Sequence, residues 1–70
     1  MHSISVTVNG QPRTLATARL TVQGLVHELG LEGKRIAVER NGEIVSKSRY
    51  ADTELAQGDR VEIVGAVGGG

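Results

Sequence analysis

The group of this chain best placed for chemistry is the carboxylate at its C-terminal end. The last three residues are Gly68, Gly69 and Gly70, and four of the ten glycines lie in the last six positions. Glycine has no Cβ, so such a segment fits a narrow channel. An α-carboxylate is ionised at neutral pH and can act as a nucleophile. These residues predict an arm that carries Gly70 into a partner's active site, with a frayed terminus of no function as the alternative.

The other side chains offer no catalytic or metal-binding set. The chain has no cysteine, which removes disulfides and thiolate ligands. Its two histidines are His2, near the start, and His27, on the predicted solvent side of a helix. Neither has the companion ligands that a metal site needs. No carboxylate pair or Ser/His/Asp set has a spacing that suggests catalysis. We therefore expect a protein that is not an enzyme, binds no cofactor or metal, and is acted on by others.

Composition excludes several classes of partner. Eight Lys and Arg balance eight Asp and Glu, so the positive charge typical of nucleic-acid binding is missing. Tyr50 is the only aromatic residue, which argues against base stacking. No apolar run is long enough to span a membrane, and residues 1–20 contain no secretory h-region. We expect one small, cytoplasmic domain with an aliphatic core.

Alternation and turn residues predict the strands. Polar and apolar residues alternate over 4–8, a pattern typical of a half-buried strand. Asn9-Gly10 favours a hairpin turn, and a return strand is expected over 11–16, with Pro12 at an edge or at the strand start. A second hairpin joins 36–40 to 43–45 through Asn41-Gly42. The last strand is expected over 60–64.

One helix is predicted between the hairpins. Thr21 is its expected N-cap, and Gly30 is the expected residue just beyond its end. Gly24 lies inside the helix, where its missing side chain suggests a close approach to the sheet. A single helical turn is expected near 50–55. The apolar residues at i, i+3, i+4 and i+7 are Val22, Leu25, Val26 and Leu29.

This order of elements predicts an α+β domain with one sheet packed on one helix. The domain is expected over residues 1–64, with a flexible tail over 65–70. Val61 and Ile63 of the last strand should face the core, and the alternate residues should face outward. A small apolar patch beside the tail is a candidate partner contact. The candidate partner contacts on this strand and just beyond it are Arg60, Glu62, Val64, Ala66 and Val67.

Three segments carry a resemblance to a known family. Asn-Gly-Glu-Ile-Val at 41–45, Gly-Asp-Arg-Val-Glu-Ile-Val at 58–64 and Val-Gly-Gly-Gly at 67–70 resemble the ThiS family, the sulfur carriers of thiamine biosynthesis. The resemblance covers the whole chain. It implies the β-grasp fold shared with ubiquitin, in which the first and last strands pair in parallel at the centre of a single mixed sheet.

The resemblance also implies a chemistry for the tail. An ATP-dependent, ubiquitin-activating-like enzyme of the ThiF type adenylates the carboxylate of Gly70. The acyl-adenylate becomes a thiocarboxylate with sulfur drawn from a cysteine desulfurase, and a thiazole synthase of the ThiG type accepts that sulfur. ATP is then used by the partner, and the carrier is expected to be a monomer when alone.

Three other roles suit the same features. The small subunit of molybdopterin synthase has the same fold and a Gly-Gly end, although those chains tend to be longer and richer in Phe. A ubiquitin-like modifier would join its last glycine to lysines. A plain β-grasp interaction domain would leave the tail idle.

Overall fold

The computed structural model describes residues 2–65. This part of the chain forms seven strands, one α-helix and one short 3₁₀ helix at Lys47–Arg49. In chain order the elements are β1 (Ile4–Val8), β2 (Gln11–Leu15), β3 (Leu20–Thr21), α1 (Val22–Glu28), β4 (Ile36–Arg40), β5 (Glu43–Val45), β6 (Glu54–Leu55) and β7 (Arg60–Gly65). None of its helices is long and apolar enough to cross a membrane.

Five strands form one mixed sheet in the order β2-β1-β7-β4-β5. The first and last strands, β1 and β7, pair in parallel, whereas the other neighbours are antiparallel. This confirms the expected α+β class, and β7 lies in the middle of the sheet. Pro12 lies on the edge strand β2, where a missing N–H leaves no central ladder bond unmade.

Both Asn-Gly pairs form the predicted hairpin turns. The φ angles are 52° at Asn9 and 82° at Gly10, and 50° at Asn41 and 87° at Gly42. Positive φ at both central residues is the type I′ geometry that matches the twist of a hairpin. Asparagine and glycine are the residues that adopt it with least strain.

Helix α1 begins and ends where the sequence predicts. The Thr21 hydroxyl accepts a hydrogen bond of 3.0 Å from the N–H of Gly24, and Gly30 has a φ of 71° beyond the last turn. The expected reason for Gly24 is wrong, however. A Cβ at Gly24 would lie 3.5 Å from its nearest neighbours, an ordinary van der Waals distance, so the packing does not require a glycine there.

The core lies between α1 and one face of the sheet. Tyr50 is part of it, with only 5% of its surface exposed. The other face of the sheet has no helix over it within residues 2–65. The buried apolar residues are Val6, Val8, Leu20, Val22, Leu25, Val26, Val38, Tyr50, Leu55, Val61 and Ile63.

The connection between β5 and β7 differs from the prediction. Its 3₁₀ helix is at Lys47–Arg49, and the helical turn expected near 50–55 is wrong. Glu54–Leu55 instead forms β6, which pairs with β3 in a second, two-stranded sheet. The N–H of Val22 donates to the carbonyl of Thr53 at 2.9 Å and ties this ribbon to the start of α1. Such pairing depends on residues about 35 positions apart, which local propensity does not report.

Candidate functional site

The described part of the candidate site is β7, the strand that leads into the C-terminal segment. The predicted site residues Ala66, Val67, Gly68, Gly69 and Gly70 lie outside residues 2–65. Strand β7 ends at Gly65, whose Cα pairs with that of Ile36 on β4. The structure therefore describes the strand from which the tail begins and the residues that hold this strand.

The side chain of Asn9 holds β7 on the β1 side. The parallel ladder runs through Thr7 N–H to Asp59 O at 3.0 Å and Asn9 N–H to Val61 O at 2.9 Å. Backbone pairing then stops because the chain turns away at Gly10. The Asn9 amide continues it, accepting from the N–H of Ile63 at 2.8 Å and donating to the Ile63 carbonyl at 3.0 Å. One amide side chain thus replaces a further residue of β1 and extends the ladder toward the tail.

Asn41 holds the other end of β7. Its Oδ1 accepts from the N–H of Arg60 at 2.8 Å, and its own N–H donates to the Arg60 carbonyl at 2.7 Å. Its Nδ2 donates to Oδ1 of Asp59 at 3.0 Å. The two turn asparagines therefore bind the backbone of β7 at Arg60 and at Ile63, three residues apart. Together they fix where the tail begins.

Asp59 is the buried polar residue of this region, with 8% of its surface exposed. Its Oδ2 accepts from Arg40 Nε and from the N–H of Ala56, each at 2.8 Å. Burial alone would raise the pKa of Asp59. Hydrogen bonds from Ala56, Asn41 and Arg40, with the charge of Arg40, outweigh burial and lower that pKa below 3.8. Asp59 is thus an ionised anchor at the start of β7.

The outward residues of β7 lie as predicted. Arg60, Glu62 and Val64 are exposed, while Val61 and Ile63 between them are buried. Val64 keeps 62% of its surface exposed. The sequence therefore predicted the orientation of the whole strand. The role of Arg60, Glu62 and Val64 as partner contacts stays a prediction.

Sequence reasoning missed Asn9, Asn41 and Asp59 as residues that position the tail. The sequence predicts only a turn at each of them, because Asn-Gly and Gln-Gly-Asp are strong turn signals. The second role had no signal in the sequence, because Asn-Gly is the pair that a type I′ turn favours in any case.

His27 is exposed, as predicted. Its Nδ1 lies 2.9 Å from Oε1 of Glu32, and the side chain is 67% exposed. The hydrogen bond to Glu32, with the negative charge of that residue, raises the pKa of His27 above 6.5. Residues 2–65 contain no group of three or more His, Asp or Glu side chains placed to bind a metal ion.

A mixed sheet with its first and last strands in parallel at the centre, and one helix across one face, defines a β-grasp protein. Here the central last strand leads directly into a glycine-rich terminus. The ThiS family profile matches residues 6–70, and the chain belongs to the ThiS family.

Individual relatives agree with this assignment. The sulfur carrier protein ThiS of Bacillus subtilis is 50% identical over 50 residues, which cover 71% of this chain and 76% of that protein. The crystal structure of the thiamine biosynthesis protein ThiS from Geobacter metallireducens superimposes with a TM-score of 0.82. It has 33% sequence identity and covers 96% of this chain and 100% of that one.

A different relative is much larger. The thiazole synthase of Paramagnetospirillum magneticum is 45% identical over 67 residues, covering 96% of this chain. This chain spans only 20% of the length of that protein. A thiazole synthase of Magnetococcus marinus is matched over the same share of its length at 37% identity.

Proposed function

We propose that this chain is a sulfur carrier of thiamine biosynthesis and that the sulfur travels on the carboxyl group of Gly70. Membership of the ThiS family supports the pathway. The observation that carries the proposal is the anchoring of β7, whose backbone is bound by Asn41 at Arg60 and by Asn9 at Ile63. A carrier must present its terminus at a fixed distance from a rigid body, and β7 provides the rigid part.

The length of the tail fits this role. Five residues follow Gly65, and a fully extended segment of five residues spans at most about 18 Å. The folded domain can therefore stay outside a partner's active site while Gly70 reaches the reacting groups. Three terminal glycines have no side chains to obstruct a narrow entrance.

The proposed chemistry takes place in three steps on the terminal carboxyl group. A carboxylate oxygen of Gly70 attacks the α-phosphorus of ATP and pyrophosphate leaves, giving an acyl-adenylate. The outer sulfur of a persulfide then attacks the acyl carbon, and AMP leaves with one of the original carboxylate oxygens, giving an acyl disulfide. A thiol reductant cleaves the S–S bond of this intermediate, supplies two electrons and leaves the sulfur on the acyl group. The product is a thiocarboxylate in which sulfur replaces one oxygen. An activating enzyme of the ThiF type would supply the site and a cysteine desulfurase the sulfur, so this chain acts as a cosubstrate.

We propose a thiazole synthase of the ThiG type as the acceptor. Two proteins named thiazole synthase contain a region similar to this chain within about a fifth of their length. Joining two modules in one chain raises the effective concentration of each at the other. That arrangement suits a donor that must deliver sulfur to the synthase.

The test is the intact mass of the protein after incubation with a ThiF-type enzyme, ATP and a sulfur source. We expect a mass gain equal to the difference between sulfur and oxygen, located on Gly70 by fragmentation. A variant lacking only Gly70 should keep the same circular dichroism spectrum and gain nothing. Sulfur on the truncated variant would contradict the assignment to Gly70.

Further assays separate the other roles. Transfer of sulfur from the loaded carrier to a thiazole synthase supports the thiamine pathway. Delivery to a molybdopterin synthase large subunit alone would favour the molybdenum-cofactor alternative. Conjugates of high molecular weight in cell extracts would favour a protein modifier.

A further inference from the structure

A groove of about 550 Å³ lies on the helix-covered side of the sheet, at the end where β7 stops. Ile63 and Gly65 of β7 line it, together with Leu31 from the connection after α1 and Ile36 from the start of β4. Apart from its chain neighbours, no described residue lies within 4 Å of a Cβ built at Gly65, so the groove is open there. The groove therefore begins where the C-terminal segment begins.

Three positive side chains line this groove, and within residues 2–65 no acidic side chain does. Arg13 is the Cα partner of Val6, so it lies on the same side of the sheet as the core. Lys34 and Arg35 lie in the loop between α1 and β4. None of the ion pairs formed in the described chain includes any of the three. We call this the basic groove and define it by Arg13, Leu31, Lys34, Arg35, Ile36 and Ile63.

Two acidic side chains lie in neighbouring clefts and pair with none of these cations. Glu32 lies in a cleft beside Lys34, but its carboxylate is 2.9 Å from Nδ1 of His27. Glu28 shares a cleft with Arg13 and forms no ion pair with it among the described residues. The chain has no net charge, yet the basic groove gathers three positive charges. It is therefore suited to a negatively charged group attached to an apolar one.

We propose that residues 66–70 fold back from Gly65 and occupy the basic groove in the free chain, with the carboxylate of Gly70 among its three cations. The segment ends in a group of the required charge, and its five residues reach at most about 18 Å from Gly65. Gly65 lines the same groove as the cations, so the carboxylate comes within range of them. The glycines at 68–70 adopt the backbone angles that a reversal of direction needs.

The apolar part of the groove matches the largest apolar side chain of the segment. Val67 follows Ile63 and Gly65 at steps of two, so it has the parity of the covered side of the sheet. Leu31 and Ile36 are half-buried and offer it apolar surface. The segment thus supplies one apolar group and one negative group, the two kinds of contact that the groove offers.

Attachment favours the chain's own tail over other occupants. A segment tethered through a few residues is present at its site at an effective concentration of about a millimolar. The tail of a second copy, or an acidic segment of another protein, must reach that concentration in solution to compete through the same contacts. Charge alone does not choose among these occupants, whereas the tether does.

Docking of the tail protects the loaded carrier, a use that rests on the proposed function. A thiocarboxylate has the same negative charge as a carboxylate, so it binds the same cations. Its sulfur is then covered until an enzyme draws the tail out. The docked and extended forms interconvert, and the docked fraction lowers the apparent affinity of any enzyme that needs the tail extended.

The experiment is solution NMR of the isotope-labelled full chain without a partner. We expect nuclear Overhauser effects between the methyl groups of Val67 and those of Leu31 and Ile36. A chain made with an amide in place of the carboxylate of Gly70 keeps every cation and loses only the negative charge. We expect the contacts of Val67 to weaken at least about threefold in the amidated chain.

Substitution of the cations tests the same contact from the side of the groove. The test variant is Lys34→Gln/Arg35→Gln, and the contacts of Val67 should again weaken at least about threefold. The control is Arg49→Gln/Arg60→Gln, which removes the same charge at exposed positions that do not line the groove. The contacts should stay unchanged in the control.

Alkylation of the loaded carrier by iodoacetamide measures whether docking covers the sulfur. We expect the thiocarboxylate of the test variant to react about two- to fivefold faster than that of the parent, since a larger fraction of its tails is extended. The control should react at the rate of the parent. Equal rates in all three proteins would contradict the protective role.

Four results would overturn the docking itself. They are the absence of the Val67 contacts in the parent, their survival in the amidated chain, their survival in the test variant, and equal losses in test and control, which would reduce the effect to net charge. Contacts that disappear on dilution would make the occupant the tail of a second copy. Failure to form a thiocarboxylate would contradict the proposed function and leave the contacts seen in the free chain unaffected.

Discussion

The two faces of the five-stranded sheet are built from the same strands and have opposite characters. On β7, Val61 and Ile63 lie buried beneath α1, while Glu62 and Val64 on the other side are exposed. On β4, Val38 has no exposed surface and its neighbour Ala37 is exposed. Alternation along a strand is enough to produce both faces.

The difference shows how so small a domain divides its apolar residues. A chain of this size buries only about 60% of its unfolded surface, so nearly every aliphatic side chain is needed in the core. The covered face therefore determines stability. The uncovered face contributes little to folding, and it holds Glu39 directly opposite Glu62, a like-charge pair that costs stability.

The largest expected effect tests this division within one strand. We expect Val61→Ala to lower the free energy of unfolding by about 2–3 kcal/mol, because Val61 is 1% exposed and its loss leaves a cavity. The same change at Val64, 62% exposed, should cost less than about 0.5 kcal/mol. Urea denaturation followed by circular dichroism measures both. Equal losses would mean that the two faces do not differ in their contribution to stability.

The second prediction concerns the charges of the two regions. Asp59→Asn should destabilise the fold by about 1–3 kcal/mol, because the new amide N–H would face donors from Arg40, Asn41 and Ala56. Glu62→Gln on the uncovered face should instead raise the free energy of unfolding, because it removes the like-charge repulsion with Glu39 on β4. Thermal melts at neutral pH compare the two variants, and a loss at both positions would contradict the contrast.

The third prediction is the dependence of stability on pH, which follows from the carboxylate of Asp59. The pKa of Asp59 is lower in the folded state than its ordinary 3.8, so the group stabilises the fold above about pH 4. That contribution is lost as the pH falls through the folded-state value. Acid titration of stability should therefore be less steep for Asp59→Asn than for the parent, and parallel curves would exclude Asp59 as the group responsible.

A smaller effect is expected at Asn9. Glycine accepts the positive φ of this position, so Asn9→Gly keeps the turn and removes both hydrogen bonds to Ile63. We expect a loss of about 1 kcal/mol and faster hydrogen exchange at the amide of Ile63. Exchange as slow as in the parent would show that the Asn9 amide does not hold β7.

The smallest predicted change is favourable. Gly24→Ala should raise the free energy of unfolding by up to about 1 kcal/mol, since alanine favours the helix and its Cβ meets neighbours at an ordinary 3.5 Å. The helix that covers the inner face would then be more stable, with no change to the uncovered face of the sheet. Chemical denaturation checks the stability. A decrease would mean that the helix depends on glycine at this position.

Features set by neighbouring residues could be predicted from the sequence. The alternation over 4–8, the apolar stripe of α1 and the Asn-Gly turns are local signals, and each gave the correct element. The orientation of β7 followed from the same period of two. The central parallel pairing of β1 and β7 came from the family resemblance and not from any pattern in the chain.

Features that depend on distant residues could not be predicted. Asp59 belongs to a turn signal, yet its burial depends on Arg40 and Asn41, eighteen or more positions away. Strand β6 is two residues long and exists because β3 lies beside it. The pairing of Glu39 with Glu62 requires the register of β4 against β7, which is visible only in the folded sheet.

The central place of β7 has a consequence for synthesis on the ribosome. The sheet cannot close until Arg60–Gly65 has emerged, because both β1 and β4 need this strand as their neighbour. Until then the other four strands of the sheet cannot complete the core, and the fold must wait for its most distant pairing. A translation product that stops before β7 would therefore be open to proteolysis. We expect such a fragment to be degraded instead of accumulating as an idle competitor of the complete chain.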